Sequence, residues 1–170
     1  MHFQLDRQAG AGDWRQVSIA AQDELALDRC QALLFDLGQF ESGGLDVARY
    51  EELTRAVAAA YPDLALVAVT LRESVSADTN GWSACCFDGR DFTLSSKYMI
   101  NDIVDRVGAG DSFAAGLIYG IWSLPSVKDA LEFAVAASCL KHSIEGDFNL
   151  STVAEIERLA RGDSSGRINR

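Results

Sequence analysis

The stretch "DRVGAGDSFAAG", residues 105–116, combines the residue types that phosphate chemistry needs. Gly108, Ala109 and Gly110 let successive backbone N–H groups converge, and a helical apolar period starts at once behind them. N–H groups at a helix start lie at the positive end of its dipole, so they form an anion hole built from backbone. Asp111 stands in the first turn of that helix. A carboxylate there either caps the helix or serves as general base where an attacking hydroxyl meets a transferring phosphoryl group. Phosphoryl transfer needs mainly positioning and charge neutralisation, with one residue to orient the nucleophile. The same four letters occur at Gly10–Asp13, with no apolar run before them and no helical period after them. That copy reads as a surface turn, since a short motif without its context carries little.

The elements around the second copy are legible from periodicity. Residues 15–21 suggest a short strand, and 23–36 a helix with Leu25, Cys30, Leu33 and Leu34 on one face. Residues 46–62 repeat Val47, Tyr50, Leu53, Val57 and Tyr61 at helical spacing, and Pro62 stops the helix. The apolar run 64–71 suits a strand buried on both faces, as in a parallel sheet. "RESVSADTNG" is polar and ends in Asn-Gly, a turn signal, and "WSACCF" and "DFTLS" flank a second turn, as antiparallel strands at a sheet edge would. Residues 97–105 continue extended into Gly108. In the helix that follows, Gly116 and Gly120 leave room for close packing. Ser126 with Asp129, and Thr152 with Glu155, are placed to cap two further helices. The order of these elements favours an α/β fold with helices packed on a sheet.

Composition narrows the classes of partner. The chain has 170 residues, 48% of them apolar, which suffices for one domain with a real core. The net charge of −10 sets the chain against nucleic acid and anionic membrane surfaces. An anionic ligand therefore has to be met by a local positive field. No apolar run is long enough to span a bilayer, and residues 1–14 do not read as a signal peptide. Cys30, Cys85, Cys86 and Cys139 form no Cys-x-x-Cys pair, and the two histidines are His2 and His142, so no zinc site is expected. Cys85 and Cys86, adjacent on a strand, should point to opposite faces. Reduced, apolar cysteines fit a cytoplasmic protein.

"DRVGAGDSF" resembles the C-terminal signature of the ribokinase (PfkB) family of carbohydrate kinases. "VAVTLRES", "NGWSAC" and "LKHSIEGDFN" are similar to the 2-keto-3-deoxygluconate kinase branch. The resemblance covers roughly residues 45–170, and 1–44 match weakly. It implies a ribokinase-like three-layer α/β/α fold with a mostly parallel sheet, read here as one domain over 1–170. It implies ATP and Mg²⁺ as cofactors and a sugar or sugar acid as acceptor. Asp111 becomes the catalytic base and Gly108, Ala109 and Gly110 the anion hole, with Asp105 also at the site. Thr70, Ser138 and His142 match nucleotide-side positions. Arg72 stands where most of the wider family has Gly, and suits a substrate carboxylate or phosphate. On their own residue types the same positions have plainer readings: a strand end for Thr70, a core hydroxyl for Ser138, a helix C-terminal cation for His142 and a loop cation for Arg72.

The chain also departs from that family. Relatives are about twice as long, and the half that carries their sugar-binding residues, a Gly-Gly pair and a small β-sheet lid has no counterpart here. An Asn-x-x-Glu motif would fall on "AQDE", with Ala21 in place of Asn and Glu24 retained, and Val135 stands where many relatives have Asn. Three readings follow. One is an ATP-dependent sugar kinase, with weak or no turnover from this chain alone. Another is a non-catalytic nucleotide- or phosphate-binding module. A third is a fragment that pairs with another chain. Homo-oligomerisation is compatible with all three.

Overall fold

The computed structural model describes residues 17–18, 32–36, 47–74 and 79–162. Six strands and four helices lie among them. The strands are β1 (Val17–Ser18), β2 (Ala32–Asp36), β3 (Leu66–Ser74), β4 (Thr79–Phe87), β5 (Phe92–Leu94) and β6 (Tyr98–Asn101). The helices are α1 (Val47–Ala60), α2 (Ala109–Ser123), α3 (Val127–Lys141) and α4 (Val153–Ala160). The sheet runs β1-β2-β3-β4-β5, with β6 also paired to β4.

Side-chain alternation on β3 and β4 explains the layers. Val67, Val69, Leu71 and Cys85 face Tyr50 of α1. Leu66, Ala68, Trp82, Ala84 and Cys86 face Phe113 and Leu117 of α2 and Leu131 and Val135 of α3. Helix, sheet and helix pair thus make the three expected layers, and α4 packs outside α3 through Ile156 against Phe133 and Ala137. Cys85 and Cys86 do point to opposite faces, and burial pushes both thiols up to about 12. They are core residues, not nucleophiles.

Four sequence expectations need correction. The sheet is not mostly parallel among the described residues: β2–β3 is parallel, whereas β1–β2, β3–β4, β4–β5 and β4–β6 are antiparallel. A parallel pair needs a long crossover, which α1 supplies for β2–β3; the connections that follow β3 are short. The helix expected over 23–36 ends as strand β2, because "ALLFD" pairs residue for residue with β3; residues 23–31 lie outside the described part. "RES" continues β3 instead of leaving it. Asn80-Gly81 is not a turn but the interior of β4, held between β3 and β6, where ladders on both sides override turn propensity. At Gly81 an added Cβ would lie 2.7 Å from Lys97 Cε, so glycine leaves room for the Lys97–Glu73 ion pair.

The helix pair that carries the site is locked by small residues. A Cβ at Gly116 would sit 2.9 Å from Ala134 Cα, and one at Gly120 would sit 2.6 Å from Ala130 Cα. Both glycines thus allow α2 and α3 to approach backbone to backbone, as their spacing suggested.

Candidate phosphate and transfer site

After β6 the chain turns at Asp102, whose φ of 56° is left-handed, and runs through 103–107 to the start of α2. Val104 N–H and Asp105 N–H both donate to the His142 carbonyl, at 2.9 and 3.3 Å, which docks this segment on the C-terminal end of α3. Gly108 then caps α2 with φ 77° and no side-chain acceptor for the helix N–H groups. A Cβ there would run into the Asp147 carbonyl, so both backbone shape and space require glycine.

The first turn of α2 is open. Ser112 N–H returns to the Gly108 carbonyl at 2.9 Å, while the N–H groups of Gly110 and Asp111 meet no acceptor among the described residues. Gly110 is exposed, and nothing lies within 4 Å of where its Cβ would be. Asp111 is exposed, and its carboxylate neither caps α2 nor forms a hydrogen bond with any described residue. The turn therefore offers backbone donors at the positive end of a 15-residue helix, with an uncommitted carboxylate beside them.

Beneath the turn the structure is tied down. Ser138, fully buried on α3, donates its hydroxyl to the Ala109 carbonyl at 2.7 Å. Asp105 Oδ1 accepts from Val107 N–H and Oδ2 from Gly146 N–H, each at 2.9 Å. Those backbone donors, Val107 first, hold the Asp105 carboxyl below the usual carboxylate range. His142 is buried with Nδ1 2.8 Å from the Ser138 carbonyl oxygen, and its ring meets Trp82 edge-on at 4.9 Å. Burial is the main cause that lowers its pKa and keeps the imidazole neutral.

The structure thus brings several of the expected positions together. Gly108–Asp111, Asp105, Ser138 and His142 form one connected set. Arg72 lies on β3 directly opposite Trp82, and its charge is felt at His142. Its Nε is buried without a hydrogen-bond partner among the described residues. Thr70 is buried two residues earlier on the same face, in register with Ala84. Val135 is fully buried in the core. The residues around Gly10, and Ala21 and Glu24, lie outside the described part. Sequence reading gave no site role to Trp82, Lys141 or the loop at Gly146–Asp147. A lysine within the apolar run of α3 was a signal that could have been followed. Among the described residues, no group of three or more His, Cys, Asp or Glu is placed to hold a metal, and no helix is long and apolar enough to cross a membrane.

Residues 83–151 match the family described as pfkB family carbohydrate kinase. A 2-dehydro-3-deoxygluconokinase from Thermotoga maritima is similar in structure, with 40% identity and a TM-score of 0.69 over 81% of this chain and 44% of that one. A putative 2-keto-3-deoxygluconate kinase from Enterococcus faecalis is 27% identical, with a TM-score of 0.66 over 85% of this chain and 44% of that one. A 2-dehydro-3-deoxygalactonokinase from Haloferax volcanii is 34% identical over 65 residues, or 38% of this chain and 20% of that protein. The chain spans less than half the length of each of these relatives.

Proposed function

We propose that this chain, whose residues 83–151 belong to the pfkB family of carbohydrate kinases, carries the phosphoryl-transfer site of an ATP-dependent sugar-acid kinase. The observation that carries the reading is the open first turn of α2, with free N–H groups beside an uncommitted Asp111 carboxylate. In the proposed roles, the N–H groups of Gly108, Ala109 and Gly110 hold the oxygens of the transferring phosphoryl group, Ala109 N–H giving up its long 3.4 Å contact with the Arg106 carbonyl to do so. Their fixed dipoles neutralise charge that grows during transfer. Asp111 accepts the proton of the acceptor hydroxyl as the new O–P bond forms. Arg72 meets a phosphate or the acceptor's carboxylate, for which its unpaired buried Nε is suited. Ser138 and His142 shape the nucleotide side from within the fold, and Thr70 stands at the adjoining strand.

The donor set fits a magnesium nucleotide. Mg²⁺ keeps several waters and binds through one or two carboxylates plus the phosphates themselves, so no cage of acidic residues is required. Bound ATP supplies the phosphoryl group and its magnesium ion offsets phosphate charge. Asp111 would offer that assembly a carboxylate from the first turn of α2.

The similarity to 2-dehydro-3-deoxygluconokinase and its relatives supports a 2-keto-3-deoxy sugar acid as acceptor. No described loop closes over the exposed Asp111, and a site open to water transfers poorly to a sugar. Turnover by this chain alone should therefore fall below the ordinary range of about 1–100 per second. A coupled ADP-release assay with 2-keto-3-deoxygluconate and Mg-ATP tests this. Asp111→Asn should abolish whatever turnover is found, by about 10²-fold or more, while Mg-ATP binding survives. Full activity in Asp111→Asn would remove the base role.

A further inference from the structure

Lys141 closes α3 as a lysine with no exposed surface, among the largest fully buried side chains of the described residues. Its Nζ donates to the Ile144 carbonyl at 2.8 Å. A buried ammonium is expensive unless its surroundings use it, and an apolar side chain of similar length would fill the same space more cheaply. The turn that it grips provides the use. Ile144 N–H returns to the Lys141 carbonyl at 3.0 Å, so both ends of the lysine hold the same residue. Two residues on, Gly146 N–H is bound by Asp105, and one further the Asp147 carbonyl abuts Gly108. A continuous path of contacts runs from the buried ammonium through the 144–147 turn to the glycine that opens α2. The charge also reaches the site directly, since it lowers the pKa of both Asp105 and His142.

We propose that Lys141 is a positioning residue of the phosphate site: its buried ammonium fixes the 144–147 turn against Gly108 and places a positive charge beneath the anion hole. This rests on the reading of Gly108–Asp111 as a phosphate site. A chain of net charge −10 needs such a local charge to receive a polyanion, and Lys141 supplies it from inside the fold, where salt screens it least.

The test uses the full chain with Mg-ATP as probe, read by ¹⁵N-resolved NMR. In the native protein, Mg-ATP should shift the amide signals of Gly108, Ala109 and Gly110. Lys141→Met should keep native core signals at Cys86 and Val135, lose exchange protection at Gly146 N–H, and bind Mg-ATP at least about tenfold more weakly. Lys141→Arg, which keeps the charge, should recover part of that loss. If native Gly108–Gly110 signals do not respond to Mg-ATP, the phosphate-site reading itself fails. If they respond and a natively folded Lys141→Met binds within twofold of native, Lys141 positions nothing. Should Lys141→Met not fold, the native protein decides through the slowly exchanging Nζ signal of its buried lysine. That signal should shift along the same titration curve as Gly108. A signal that stays still while Gly108 moves overturns the proposal.

Discussion

The three helices that follow the sheet face the same problem at their N-termini, where the first four N–H groups have no partner within the helix. α3 and α4 solve it with side chains. Ser126 accepts from Asp129 N–H at 3.1 Å, and Thr152 and Glu155 form a reciprocal capping box, with Thr152 N–H to Glu155 Oε2 at 2.7 Å. α2 does not solve it internally. It opens on a left-handed glycine, and the one carboxylate in its first turn forms no capping hydrogen bond with the orphan donors. Polar side chains able to cap were placed at two helix starts and withheld from the third. At α2 the scaffold is fixed from beneath, by Ser138 and the 144–147 turn, while the donors above stay free. That contrast separates a helix end built for stability from one left open for a ligand.

The largest expected effect comes from closing the open end. Gly108→Val would force a β-branched residue into a positive φ and drive its Cβ into the Asp147 carbonyl. Strain of about 1–2 kcal/mol from the backbone and a similar amount from the clash should together cost roughly 3 kcal/mol. At about 2–4 °C per kcal/mol for a chain of this size, the melting temperature should fall by roughly 6–12 °C, with loss of Mg-ATP binding. A variant that melts and binds like the native protein would mean that α2 does not depend on the Gly108 cap.

A capped end should respond differently. Thr152→Ala removes the hydroxyl that accepts from Glu155 N–H at 3.3 Å. The loss should be about 1 kcal/mol, or roughly 2–4 °C by calorimetry. Mg-ATP affinity should not change. A binding defect in this variant, far from Gly108 in the chain, would erase the distinction between the two kinds of helix start.

The sequence made some of this legible and hid the rest for physical reasons. Both capping residues and the packing glycines 116 and 120 could be read directly, because caps and close contacts are local or follow helical spacing. The helix start at Gly108 was equally local, although the extended segment expected to run to 105 ends as β6 at Asn101 and the chain turns at Asp102. The sheet was harder. "ALLFD" has apolar residues that satisfy helical and extended patterns alike, and pairing with β3 decides between them. Asn80-Gly81 carries turn chemistry that two neighbouring ladders override. The support under the site could not be read from spacing at all. Ser138 meets Ala109 across 29 residues and Asp105 meets Gly146 across 41, and contacts of that separation follow only from the packed fold.

The smallest effect is the most specific to the open end, because it reads the tether between Asp105 and the 144–147 turn. The Asp105 carboxylate accepts one N–H on each oxygen, from Val107 and Gly146, and its folded-state pKa is lowered for that reason. Unfolded, it returns to about 3.9. Between those two values the unfolded chain binds more protons, so stability rises with pH across the window. The contribution is complete above about pH 4 to 5 and is lost as pH falls through the lowered folded value. Asp105→Asn removes it, since an amide nitrogen cannot accept from Gly146. Thermal melts at pH 6 should therefore place the variant below native, and the two curves should converge as pH falls through the lowered folded value. Other carboxylates titrate in both proteins and cancel in the difference. A gap that stays constant as pH falls from 6 into the acid-unfolding range would show that the charge on Asp105 does not hold the turn, and the floor of the anion hole would then rest on Ser138, Lys141 and packing.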